Sequence, residues 1–295
     1  MLRGRTGVPA LVPPVEPVGV APLIDVGDAV PLVRHALRSR TNARATNSMF
    51  AIVTCTKTSA TLKNPLIHTF LPSLNRSITK HELQGWDVRL YICVDNDDDL
   101  LQNGTQFLRA QLSTLVPVIS HIEILSYPPS NTIPHGLAAA RAFSDGADYV
   151  HRTNDDTRFL TRGWINASTS ALKSWNNIGV VGPISHGDPK MRKLRGSKSP
   201  LLTRDVVHRS HMTIFAEYYP KCLRNWYMDD WISHSYALHG RASFVKEWHV
   251  NHEFVRRRYK AAVSQIGLLN TLVSCGVDAI NASKHNRLSA PISCC

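Results

Sequence analysis

From residue 49 onward, short apolar runs alternate with longer stretches of helical spacing. MFAIVTCT (49–56) is apolar, β-branched and ends in threonines, which predicts a buried strand. PLIHTFLPSLNRSI reads as a helix interrupted by Pro72. VRLYICVDNDDD (88–99) is a second strand stopped by acids, and TQFLRAQLSTL (105–115) is an amphipathic helix. HIEILSYPP (121–129) predicts a third strand ended by prolines. PHGLAAARAFSDG (134–146) predicts a helix with Pro134 near its first turn and Gly146 at its C-terminal end. ADYVHRTNDD is a fourth strand, GWINASTSALKSW a helix, and IGVVGPIS (178–185) a fifth strand. The basic, glycine-containing stretch 186–205 is expected to be a mobile loop.

Repeated strand–helix alternation with short connections predicts an α/β fold, a mostly parallel sheet flanked by helices. In such sheets ligands bind beyond the carboxyl ends of the strands. The polar clusters fall there: Thr54 and Thr56, the acids Asp95 to Asp99, and Asn154-Asp155-Asp156.

Adjacent carboxylates repel unless a cation or a proton answers them. At the end of a buried strand, Asp155 and Asp156 suit a divalent cation whose remaining sites are water and phosphate oxygens. The competing reading is a strand-end turn, for which Asn and Asp are common residues. DNDDD (95–99) fails as a calcium loop, since Leu100 holds the glycine position and Gln106 the glutamate position. Asp95 is placed to accept hydrogen bonds from a base or ribose, and the acids after it read as a solvated turn. Asp229 and Asp230 open a further helical stretch. They are either dipole-favoured first-turn acids or a general base beside the aromatic residues Trp226, Tyr227 and Trp231. In EWHVNHEFVRRRY (247–259), His249 and His252 would face opposite sides of a strand, so at most one joins a given site.

Composition narrows the partners. The chain has 295 residues, 43% apolar, with a net charge of +12, so an anionic partner is expected. Acids gathered at strand ends argue against nucleic acid, whose phosphates they would repel. Residues 1–47 are proline-rich and interrupted by acids, which predicts a disordered extension rather than a signal peptide. No continuous apolar run of the length needed to span a bilayer occurs, so no transmembrane segment is expected. Six cysteines contain no CxxC and fit neither a zinc ribbon nor a small disulfide framework. Cys55 and Cys93 read as packing residues, and the Cys294-Cys295 pair carries no local signal. Sequons at Asn75, Asn103, Asn166 and Asn281 lean toward a Golgi or secretory lumen, with the cytoplasm as the alternative.

Taken in order, an apolar first strand, an acid ending the second, NDD after the fourth, an acid pair opening a late helix and then a histidine resemble a GT-A glycosyltransferase of the family 2 type. The resemblance spans roughly residues 49 to 260. It implies a Rossmann-like sheet with a C-terminal acceptor-side region. The domain division it gives is an extension at 1–47, a catalytic domain at 48–260 and a helix or tail at 261–295. It also implies a nucleotide-diphosphate sugar as donor, Mn²⁺ or Mg²⁺ as cofactor, and a glycan, protein or lipid acceptor. NDD resembles the family's DxD motif, with Asn154 in place of the first acid. By that likeness Asp156 and His252 (or His249) would bind the metal. Thr54, Thr56, Asp95, Asn154, Asp155 and Arg256 would hold the donor, and Asp229 or Asp230 would act as base in an inverting transfer. The alternatives are a nucleotidyltransferase and a non-catalytic nucleic-acid-binding protein. A nucleotidyltransferase usually carries a glycine-rich basic loop after the first strand, and TCTKTSATLKNP (54–65) has no glycine.

Overall fold

The computed structural model describes residues 47–58, 64–101, 104–128, 134–187, 200–253 and 262–295. Among these residues eight strands form one mixed sheet: β1 (Ser48–Thr56), β2 (Trp86–Asp95), β3 (His121–Tyr127), β4 (Tyr149–Asn154), β5 (Thr157–Phe159), β6 (Val180–His186), β7 (Asp205–His208) and β8 (Ala242–His252). Their order is β3-β2-β1-β4-β7-β6-β8-β5. β3, β2, β1 and β4 are parallel, as the alternation predicts. β7 enters antiparallel between β4 and β6, and β5 pairs antiparallel with β8.

Among the described residues eight α-helices flank the sheet: α1 (Leu71–Ser77), α2 (Lys80–Gly85), α3 (Gly104–Leu115), α4 (His135–Ser144), α5 (Trp164–Lys173), α6 (His211–Ile214), α7 (Met228–Ala237) and α8 (Ile266–Lys284). A strand sends alternate side chains to opposite faces, and β1 divides the core accordingly. Phe50 and Ile52 pack with α1, α3 and α5, whereas Met49, Ala51 and Val53 pack with α4, α7 and α8. A π-helical turn, Leu66–Phe70, runs directly into α1, and the winding changes at Leu71, beside Pro72, so the helix is interrupted where the sequence predicts. Buried Glu82 joins two helices. It closes a capping box with Thr79, and its Oε1 accepts from the backbone N–H groups of Ile165 and Asn166 at the start of α5.

Several expectations are corrected. Residues 200–205 are not a mobile loop: Leu202 and Arg204 are buried, and the Leu202 N–H donates to Ser233 Oγ. Residues 188–199 lie outside the described residues. Two disulfides are present, Cys222–Cys295 and Cys275–Cys294, with sequence separations of 73 and 19. Vicinal Cys294 and Cys295 thus bond to two different segments, and spacing along the chain gives no hint of such a pairing. Between them the tail adds a bridge to the segment before α7: Ala216 N–H donates to Ile292 O and Ile292 N–H to Ile214 O. The stretch Val263–Lys284 is long and apolar enough to cross a membrane by length and composition. Glycine, serine, threonine and asparagine interrupt its apolar run, so no continuous apolar stretch marks it in the sequence. Its face bearing Leu269, Leu272, Ala279 and Ile280 packs into the core beside α7. Gly276 permits this approach, since a Cβ there would lie 2.4 Å from Ser235 Oγ.

Candidate functional site

The carboxyl ends of β1, β2 and β4 lie side by side, with Cys55 in register with both Cys93 and Asn154. The polar residues that follow these strands therefore share one edge. Thr56 donates its hydroxyl proton to Asp155 Oδ2 at 2.7 Å, and both side chains are buried. Asp155 is thus turned into the fold, where it holds the β4–β5 turn against β1. Thr54, two residues earlier, is wholly buried within the sheet. Asn154 ends β4 and is half-buried.

Asp95 ends β2 and bonds Lys57 Nζ at 2.6 Å. That carboxylate holds the Lys57 ammonium above its ordinary pKa. The acids after Asp95 are not all solvated, which corrects the expectation of a water-facing turn. Asp98 is buried and accepts from the Thr58 N–H at 2.6 Å, closing the segment after β1 onto the segment after β2.

Asp156 stands at the other side of the turn. Its Oδ2 lies 3.1 Å from His252 Nε2 at the end of β8, and Arg204 Nη2 lies 3.9 Å from its Oδ1. Pairing of Thr157 with His252 in the β5–β8 ladder brings the two side chains together. His249 points elsewhere: its Nδ1 is 3.0 Å from His186 Nε2 across β6 and β8. Arg204 is buried and donates from Nε to Thr157 Oγ1 at 2.6 Å. Sequence reasoning did not single out Arg204 or Lys57. An arginine inside a basic stretch gives no sign that it will be buried. Arg256 lies outside the described residues.

A carboxylate oxygen and an imidazole nitrogen this close are a donor set that fits Mn²⁺ or Mg²⁺. No group of three metal-ligating side chains gathers among the described residues. Water and phosphate oxygens would complete such a shell.

The acid pair lies in the first turn of α7. Asp229 keeps 34% of its side-chain exposure, and its Oδ1 is 3.5 Å from Arg152 Nη2. Burial pushes the Asp229 carboxyl above its ordinary pKa, and Arg152 opposes that shift. Asp230 is also half-buried. Of the aromatic residues nearby, Trp231 is core, donating Nε1–H to Leu272 O, and Tyr227 is tied through its hydroxyl to Val263 O. Trp226 is half-buried.

No protein-family model and no curated protein matches the chain. Solved structures do. S. aureus TarS aligns over 81% of this chain and 43% of its own, with 13% identity and a TM-score of 0.53. S. aureus TarS 1–349 in complex with UDP-GlcNAc aligns over 81% of this chain and 72% of its own, with 12% identity and a TM-score of 0.52. GalNAc-T7 with UDP, GalNAc and Mn²⁺ aligns over 84% of this chain and 52% of its own, with 11% identity and a TM-score of 0.54. The chain thus spans under half of that TarS chain. At these identities the likeness is one of fold, and the fold is GT-A.

Proposed function

We propose that this protein is a glycosyltransferase that moves a hexose from a nucleotide-diphosphate sugar to an acceptor hydroxyl, with inversion. The observation that carries the reading is the Asp156–His252 pair at the strand-end edge of a GT-A sheet. Residues 48–260 are the catalytic unit, and 261–295 a C-terminal helix and tail. Mn²⁺ or Mg²⁺ held by Asp156 and His252 would neutralise charge on a leaving diphosphate.

The chain's own residues supply the rest. Asp95, with Lys57 beside it, faces the donor's nucleoside end, and Thr56 with Asp155 keeps the turn bearing Asp156 in place. Arg204 adds a fixed positive charge within 4 Å of Asp156, at 3.9 Å, where phosphate would develop negative charge. The acid pair of α7 takes the proton of the acceptor hydroxyl as it attacks the anomeric carbon. That uridine nucleotides occupy TarS and GalNAc-T7 supports UDP as the donor's nucleotide here. The acceptor is a glycan, protein or lipid.

Calorimetric titration with UDP and GDP, each with and without Mn²⁺, tests the reading on wild type and Asp156→Ala. Metal-dependent binding of one nucleotide, lost in the variant, is the expected result. No binding by the folded wild-type protein under any condition removes the function while leaving the fold.

A further inference from the structure

Four N-x-S/T sequons stand in the chain, at Asn75, Asn103, Asn166 and Asn281, and the fold treats them differently. An N-linked glycan replaces one hydrogen of the asparagine amide with a bulky, hydrated sugar, so that amide must face water in the folded protein. Asn166 does not meet this condition. It is half-buried in the first turn of α5, its Oδ1 accepts from Trp86 Nε1 at 2.8 Å, and its Nδ2 lies 3.3 Å from His81 Nδ1. Asn75, inside α1, is also half-buried, with its Oδ1 shut off from solvent. Asn103 lies outside the described residues. Asn281 is exposed in the last turn of α8, and Lys284 to Arg287 after it are exposed as well. Ser283 supplies the hydroxyl of its sequon.

The disulfides point independently to the compartment in which such glycans are added. Cys275–Cys294 brackets Asn281 along the chain, and Cys222–Cys295 closes beside it. Bonds of this kind persist where the surroundings are oxidising, as in the secretory lumen. The position on α8 also keeps a glycan clear of the acid pair. α8 runs beside α7 in the same direction: Tyr227 donates to Val263 O, Trp231 to Leu272 O, and His239 Nε2 lies 3.0 Å from Val277 O. Asn281, one turn past Val277, therefore lies at the C-terminal end of α7, whereas Asp229 and Asp230 open its first turn. With 10 residues in α7, the two ends are about 15 Å apart.

We propose that Asn281 is an N-glycosylation site, modified in the secretory lumen by an oligosaccharide carried on a lipid diphosphate. Asn281 Nδ2 forms a bond to the anomeric carbon of that oligosaccharide, and the bond from this carbon to the diphosphate oxygen breaks. The lipid diphosphate leaves, and the amide gives up one proton to the lumen's own oligosaccharyl-transfer enzyme. The inference is independent of the transferase reading above, because here the chain is the acceptor.

Peptide mass spectrometry tests this on the full chain, produced in eukaryotic cells behind a cleavable secretion signal. The glycan is removed with a glycosidase that converts the asparagine bearing it to an acid. The expected result is conversion at position 281 in chains whose disulfides have formed, with the amides at 75 and 166 unconverted. In electrophoresis Asn281→Gln and Ser283→Ala should each lose one glycosidase-sensitive step. Ser283→Ala keeps the asparagine and removes only the sequon hydroxyl, so it separates recognition of the sequon from loss of the side chain. Asn281→Gln should unfold in urea and bind nucleotide as wild type does. An unconverted Asn281 in chains with both disulfides formed, whether secreted or retained, overturns the proposal, as does a glycan on Asn75 or Asn166 in its place. Conversion of Asn281 in a protein that transfers no sugar supports it and refutes only the transferase reading.

Discussion

His252 Nε2 lies 3.1 Å from Asp156 Oδ2, although 96 residues separate them in the chain. The contact joins the turn after β4 to the end of β8. It gives the edge of the sheet a carboxylate and an imidazole aimed at one point. Removing either should abolish Mn²⁺-dependent nucleotide binding; Asp156 is buried beside Arg204, so urea unfolding of each variant is measured alongside. Calorimetry on Asp156→Ala and His252→Ala checks this, with His249→Ala as the control expected to bind as wild type does.

Thr56 holds the turn that carries Asp156 only indirectly, through Asp155. Thr56→Val keeps the shape of the side chain but takes a donor from a buried carboxylate. The expected cost is about 1–3 kcal/mol of stability, together with weaker metal-dependent nucleotide binding. Thr56→Ser should restore most of both. Urea unfolding and the same titration measure the two effects.

Both disulfides lie in the C-terminal part of the fold. Cys222–Cys295 ties the segment before α7 to the C-terminus, and Cys275–Cys294 ties α8 to it. Such bonds form and persist in oxidising compartments. Protein taken from a secretory lumen should titrate two free thiols, Cys55 and Cys93, when denatured without reductant. Reduction is expected to remove about 2–4 kcal/mol per bond. It should impair sugar transfer before nucleotide binding, since Asp95 and Asp156, the residues proposed to hold the donor and its metal, lie on β2 and the β4–β5 turn rather than on the segments that the two bonds join.

Acid should destabilise the protein through its buried histidines. Burial lowers the pKa of His135 and His151 from 6.5 to about 3 and that of His211 to about 4. Each stays neutral in the folded chain and takes up its proton on unfolding. The stability they contribute is therefore complete above pH 6.5 and is lost as the pH falls toward 4 and then 3. Each contributes a slope of up to about 1.4 kcal/mol per pH unit in that window. Urea midpoints between pH 7 and 4 measure the slope, and His211→Gln should flatten it if the variant folds.

The parallel half of the sheet was legible in the sequence because its signals are local. Apolar, β-branched runs such as 49–56 and amphipathic runs such as 105–115 report the period at which a segment buries its side chains. A strand's polar end, NDD included, follows from the same pattern. What the sequence alone determined is thus the α/β alternation and the collection of acids along one edge. Only the tertiary structure decided that Asp155 turns inward to Thr56, whereas Asp156 meets His252 rather than His249. It also brought β7 antiparallel beside β4, buried Arg152 and Arg204, and paired two vicinal cysteines with different partners. The physical reason is common to all of these. Each is a contact between residues far apart in the chain, where side-chain direction and burial depend on which strands become neighbours. No period, spacing or composition along the chain carries that information.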